Sequence, residues 1–306
     1  MIHAKTEEGY PINIPTSFHG YKLLKIIGFG SSSIVGLVIE NRTGQLYSAK
    51  IISKNDAEKK KTLYSIQKEI GVMGEVDHPN IVKIIKSIDL RNKFNELYII
   101  VIMEYCEKGD LLSYSSEHGF ENEYQKQKIM KGFLEAIKYL HHRGISHGDI
   151  KLDNILLDKD LNPKLTDFGF CRTTLIAGDE SKKGTIFYAA PELFVHGEFD
   201  TLKSDIWSIG ITLYSLSENQ FPYKSGDTRF IVNEIKSGKL SIGDNVSNSL
   251  RKVVEKCTQI QPQKRPSIEE LMNDEYFYTD EQMSDLSKQN NPSSWSSSSF
   301  IEECGI

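Results

Sequence analysis

No apolar run in this chain is long enough to cross a membrane, cysteine is sparse, and basic charge is not in surplus. The longest apolar stretch, Leu97 to Met103, fits a buried strand and falls far short of the roughly 20 residues of a membrane span. The four cysteines (Cys106, Cys171, Cys257, Cys304) are scattered, without a CxxC pair or a histidine at zinc spacing. They read as reduced thiols of a cytoplasmic protein, not as a disulfide frame or a metal cluster. Residues 1–20 carry Lys5, Glu7 and Glu8 but no apolar core, which argues against a signal peptide, and Ile2 stands where N-myristoylation would require glycine. Net charge is −5, and the stretch 278–306 holds five acids against Lys288 alone. Nucleic acid and anionic membranes are therefore not expected as partners.

What remains is an ordinary globular composition, 39% hydrophobic and 26% charged in 306 residues, enough for two cores with a cleft between them. From Tyr21 to Ile52 short β-branched runs are broken by turn residues, with Asn41-Arg42-Thr43-Gly44 a hairpin turn, which predicts three antiparallel strands. Leu63, Ile66, Ile70 and Met73 recur at helical spacing with Glu69 beside them, and Gly71 and Gly74 weaken the end of that helix. Two more strands are predicted at 81–85 and 97–103. After Gly109 the pattern turns helical: Ile129, Phe133, Ile137 and Leu140 form a stripe, and Ile206 to Leu216 is apolar all round, with Trp207 in the core. Beyond Phe277 the chain becomes an acidic, Ser-rich tail that cannot bury enough apolar surface to fold alone.

The densest chemistry lies in His147-Gly148-Asp149-Ile150-Lys151-Leu152-Asp153-Asn154, followed by Asp167-Phe168-Gly169. Asp149 can accept a proton from a hydroxyl and Lys151 can neutralise a moving phosphoryl group, while Asn154 and Asp167 are hard oxygen ligands of the kind Mg²⁺ takes. Upstream, Gly28-Phe29-Gly30-Ser31-Ser32-Ser33 lies between two predicted strands, where glycines let backbone N–H groups approach a phosphate. A strand follows it, so it is not a dinucleotide-binding fingerprint. Lys50 on the next strand has Glu69 on the following helix to hold its ammonium.

In order along the chain, Gly28/Gly30, Lys50, Glu69, His147-Gly148-Asp149, Asn154, Asp167-Phe168-Gly169, Ala190-Pro191-Glu192, Asp205 and Arg265 resemble the eukaryotic protein kinases over residues 21–277. The resemblance implies an α+β, bilobal fold: a small antiparallel sheet lobe with one helix (21–103), a hinge (104–109) and a mainly helical large lobe (110–277). These follow an N-terminal extension at 1–20. It implies ATP and Mg²⁺ as cofactors, with Asp149, Lys151, Lys50, Glu69 and Thr185 catalytic and Asn154 and Asp167 on the metal. Ile27, Gly28, Gly30, Val35, Ala49, Lys50, Met103 (gatekeeper), Glu104, Cys106, Asp110 and Leu156 would hold the nucleotide. Met73, Ile84, His147 and Phe168 would stack as a spine on Asp205, and Glu192 and Arg265 would pair in the large lobe.

Lys151, and Thr185 bridging it to Asp149, resemble kinases of Ser/Thr hydroxyls, and the segments around His78 and Phe187 resemble the calcium/calmodulin-dependent and AMP-activated group. The acidic tail argues against calmodulin itself as a partner. Asp110 and Asp153 favour basic residues upstream of the acceptor; Ser215 weakens that preference. One departure stands out. Gly148 replaces the arginine that usually pairs with a phosphate on the activation segment, so activity is expected not to depend on phosphorylation at Thr173, Thr174 or Ser181. The rival reading is a catalytically weak pseudokinase that binds ATP as a scaffold. Cys171 is expected to be a buried inert thiol, and His141 and His142 to cap a helix.

Overall fold

The computed structural model describes residues 2–7, 9, 11–30, 33–60, 62–92, 94–173, 176–178, 185–224, 227–244 and 246–277. A hairpin, β1 (Ile2–Lys5) and β2 (Pro11–Ile14), precedes a six-stranded sheet. The sheet contains β3 (Ser17–Phe18), β4 (Tyr21–Phe29), β5 (Ser33–Glu40), β6 (Leu46–Ser53), β7 (Ile84–Arg91) and β8 (Leu97–Glu104) in the order β3-β4-β5-β6-β8-β7, with all neighbours antiparallel. Between β6 and β7 run α1 (Lys54–Lys59) and α2 (Leu63–Glu75). The 13-residue α2 continues through Gly71 and Gly74, because its inward residues Ile66, Glu69 and Met73 are held by tertiary contacts.

The remainder is mainly helical: α3 (Leu111–His118), α4 (Glu123–His141), α5 (Thr201–Glu218), α6 (Thr228–Ser237), α7 (Asn248–Cys257) and α8 (Ile268–Met272). Short strands β9 (Gly109–Asp110), β10 (Ile155–Leu157) and β11 (Pro163–Leu165) form a small sheet that carries the loop after α4, and β12 (Ile176–Ala177) pairs with β13 (Phe199–Asp200). α4 lays Ile129, Phe133, Ile137 and Leu140 into the core, as its spacing predicts, and α5 is buried almost all round, Trp207 included. The expected bilobal α+β fold is thus present. No helix among the described residues is long and apolar enough to cross a membrane.

One expectation needs correction. The strand predicted at 81–85 begins at Ile84; Ile81 and Val82 instead join the large lobe, where Val82 N–H donates to Leu165 O (2.9 Å). From the N-terminal extension, Ile12, Ile14 and Phe18 are buried with Leu23, Ile34, Ala49, Ile51 and Ile100 in a cluster on one face of the sheet. A second, larger cluster takes the other face, with Met73, Val101, Met103 and Phe168, and continues without a break into the large-lobe helices.

Candidate active site

Strand pleating fixes the first site residue. Lys50 lies on β6 opposite Val35 and Val101 of its neighbours, and its ammonium meets Glu69 Oε1 of α2 at 2.6 Å. Burial pulls the Lys50 pKa down, but the Glu69 and Asp167 charges outweigh it and leave it above its ordinary value. Alternation then sends Ala49 to the opposite face, fully buried in the cluster under the first hairpin. That overturns Ala49 as a residue lining the nucleotide cleft. The residue with Lys50's parity is Ser48, whose hydroxyl donates to the Glu104 carbonyl at 2.9 Å. Parity with Lys50 could have revealed it from sequence.

The loop after α4 is gathered around Asp205. His147 N–H and Gly148 N–H donate to its two oxygens at 2.8 and 2.9 Å, and His141 Nε2 lies 3.0 Å from it. The His141 side chain is therefore bonded to a buried carboxylate, whereas His142 is the C-cap residue of α4, its N–H donating to Lys138 O, and its ring pairs with Glu269. The His147 ring packs edge-on against Phe168, with centroids 5.2 Å apart, and Met73, Phe168 and Ile84 meet in the larger core cluster.

Asp149 is almost enclosed. Its Oδ1 accepts from the Thr185 amide (3.0 Å) and hydroxyl (2.9 Å), and its Oδ2 lies 3.0 Å from Lys151 Nζ. Lys151 Nζ also donates to Thr185 Oγ1 at 2.9 Å, so the three side chains form a closed triangle. Burial alone would raise the Asp149 pKa; Lys151, the Thr185 hydroxyl and His147 outweigh it and hold the carboxyl below its usual 3.8. Asn154 Nδ2 donates to Asp149 O (2.8 Å) and Oδ2 (3.1 Å), which leaves its amide oxygen as an acceptor. Asp167 adopts a left-handed backbone, φ +62°, uncommon for a non-glycine residue and typical of functional turns. Asn154, Asp167 and the charge on Lys50 fit a magnesium–polyphosphate group in ligand type and sign.

Among the remaining residues, Gly28 and Gly30 sit where β4 turns toward β5, and Gly30 N–H donates to Ser33 O at 2.8 Å. Ile27 on β4 is exposed, and Val35 and Leu156 are half-buried. Met103 and Cys106 are buried, and burial pushes the Cys106 thiol up to about 12 and the Cys171 thiol to about 11, so both are inert at neutral pH. Asp110 caps α3, accepting from the Ser113 amide (2.8 Å) and hydroxyl (2.9 Å). Arg265 forms a bidentate pair with Glu192 at 2.6 and 2.7 Å and is 2% exposed.

Gly148 has φ +79°, and a Cβ there would lie 2.6 Å from Phe170 O and 2.7 Å from Arg172 Nη1. Arg172 is thus laid over the glycine by two backbone bonds with Ser146 (2.9 and 3.0 Å), its guanidinium 5.7 Å from the Phe199 ring. Sequence reasoning passed over this residue. Of the segment's hydroxyls, Thr173 is exposed; Thr174 and Ser181 lie outside the described residues, as does the tail.

A family profile described as Protein kinase domain matches residues 21–277. The chain belongs to the protein kinase family. Its relatives include the serine/threonine-protein kinase cds1 of Schizosaccharomyces pombe, 29% identical, covering 85% of this chain and 58% of that protein. Sperm motility kinase 2B of Mus musculus is 30% identical (84% and 51%), and CBL-interacting protein kinase 8 of Oryza sativa subsp. japonica 29% identical (84% and 57%). The chain spans a little over half the length of these relatives. One of the three is a serine/threonine kinase by name, and the triangle of Asp149, Lys151 and Thr185 lies within the matched kinase domain.

Proposed function

We propose that the chain transfers the γ-phosphoryl group of Mg-ATP to Ser or Thr hydroxyls of protein substrates. The Thr185 hydroxyl shared between Asp149 and Lys151 carries the reading, since it holds a carboxylate and an ammonium together where an acceptor hydroxyl and a migrating phosphoryl group need them. Asp149, ionised at neutral pH, takes the acceptor's proton. Lys151 offsets the charge that builds on the phosphoryl oxygens, and Lys50, steadied by Glu69, orients the α- and β-phosphates. Asn154 and Asp167 would hold magnesium, which when bound neutralises the phosphate oxygens. The intact set Lys50, Asp149, Lys151, Asn154 and Asp167 weighs against the pseudokinase reading. With Asp110 engaged by Ser113, the exposed Asp153 is the residue that would favour a basic substrate residue.

Labelled ATP and an arrayed peptide library test this directly. Transfer to Ser/Thr peptides is expected, lost in both Asp149→Asn and Lys50→Met. Nucleotide binding without transfer by the unaltered protein would favour the scaffold instead.

Because Gly148 offers no side-chain charge to a phosphate, we also propose that the activation segment is set without phosphorylation. The variant T173A/T174A/S181A is expected to keep its activity within about two-fold, a barrier change of under about 0.5 kcal/mol, because no hydroxyl is needed to carry a phosphate. Loss of transfer that acidic replacements restore would refute it.

A further inference from the structure

The hairpin β1–β2 reaches the glycine-rich turn, and nothing in the motif pattern anticipates this contact. Ile12 and Ile14 anchor it in the cluster on the sheet face turned away from Lys50. Its second strand is tied to the turn between β7 and β8, where Asn13 Nδ2 donates to Glu96 Oε1 at 2.9 Å. At the other end the chain turns back between Thr6 and Gly9, closed by Gly9 N–H donating to Thr6 O at 2.8 Å. From this turn the Glu7 amide donates to the Gly30 carbonyl at 3.1 Å. Both backbone groups of Gly30 are then used: its N–H within the glycine-rich turn, to Ser33 O, and its C=O across to the hairpin.

We propose that the hairpin strands β1 and β2 act as a strap that preorders the glycine-rich turn for nucleotide, with the Glu7 backbone amide as its positioning group. The proposal rests on the kinase reading. Glycine loses more conformational freedom on ordering than any other residue, so ordering Gly28 and Gly30 opposes phosphate binding. A restraint anchored in a buried cluster supplies part of this order beforehand, which tightens binding without a new contact to the ligand. It grips the turn through a backbone bond, the Glu7 amide on the Gly30 carbonyl. ATP affinity should therefore respond to the strap while the transfer step does not.

Glu7 occupies the second position of its turn, where proline is favoured, so Glu7→Pro removes the donor and keeps the turn. Glu7→Ala removes the side chain and keeps the donor. In Glu7→Pro, exchange of the Gly30 amide is expected to rise roughly five-fold, the worth of one ordinary hydrogen bond, and KM for ATP to rise by roughly the same factor. The kcat and the KM for peptide should stay unchanged, and Glu7→Ala should match the unaltered protein. Binding is reciprocal, so a non-hydrolysable Mg-ATP analogue should also slow exchange of the Glu7 amide in the unaltered protein, a readout that needs no variant to fold.

Unchanged Gly30 exchange in Glu7→Pro, equal effects of Pro and Ala, or a Glu7 amide indifferent to nucleotide would each overturn the strap. Faster Gly30 exchange with an unchanged KM for ATP would overturn its role in nucleotide binding. If the unaltered protein neither bound nor used ATP, the kinase reading would fail, and the Gly30 exchange comparison would still decide whether the strap holds the turn.

Discussion

Asp149 is drawn in two directions, since burial favours its protonated form while Lys151, Thr185 and His147 favour the ionised one and prevail. A carboxyl whose folded pKa is depressed stabilises the fold above its unfolded value and loses that contribution as pH falls through the folded value, here below 3.8. The acid limb of kcat/KM that reports Asp149 should therefore lie below the ordinary aspartate range. Lys151→Met leaves the burial less opposed, so the limb should move to higher pH, and Thr185→Val should move it the same way by less. Profiles of kcat/KM against pH measure this directly; a limb that stays put in both variants would remove Asp149 as the base. At this scale much was legible, because charged residues in fixed order have few other uses. Ala49 was misjudged because motif order locates a strand but not its faces; pleating gives the cleft to Ser48. His141 looked like a helix cap because its partner, Asp205, is remote in sequence and adjacent only after folding.

Glycine shows how an element's surroundings set the sign of a substitution. In α5, Gly210 lies against α7, and an added Cβ would sit 2.6 Å from Cys257 Cβ and 3.1 Å from Thr258 Cγ2, neither the mobile end of a long side chain. Alanine would gain about 1 kcal/mol of helix propensity there but must part the two helices. A net loss of about 1–3 kcal/mol is expected for Gly210→Ala, in line with overpacking elsewhere. In α2, Gly71 and Gly74 face open space. The same change should stabilise at each, by up to about 1 kcal/mol. Urea unfolding of the three variants would show whether the sign follows the neighbours. Helices with a clear apolar stripe, such as α4, were legible for the reason Gly210 was not: periodicity records which face is buried, not how closely a neighbour approaches. The displaced start of β7 has a similar cause. Ile81-Val82 is a short apolar run that a strand or a lobe-bridging segment can use equally, whereas β7 is an edge strand with exposed Lys86 and Asp89, as edge strands tend to be.

Across the whole molecule the two lobes share one apolar cluster, from Met73 and Met103 through Phe168 to Leu140 and Leu213, so the cleft is a gap in the surface of a continuous core. The order of motifs made that architecture legible; the packing of β1 and β2 on the far face of the sheet was not, because each offers only one pair of alternating apolar residues, Ile2 and Ala4 or Ile12 and Ile14, too short a pattern to single out a strand. A ligand that bridges such a cleft binds the folded state alone and stabilises it by mass action. At 100 times its Kd, Mg-ATP should add about 2.7 kcal/mol. In a domain of this size that raises Tm on the order of 5–10 °C. Each residue assigned to nucleotide or metal makes a separate forecast. Lys50→Met should abolish most of the rise with or without magnesium, since it removes the charge facing the phosphates. Asp167→Ala should abolish only the magnesium-dependent part, since Lys50 and Glu69 remain paired without it. Differential scanning fluorimetry with ATP alone and with Mg-ATP separates the two, and an equal loss in both variants under both conditions would assign Asp167 to the fold, not to the metal.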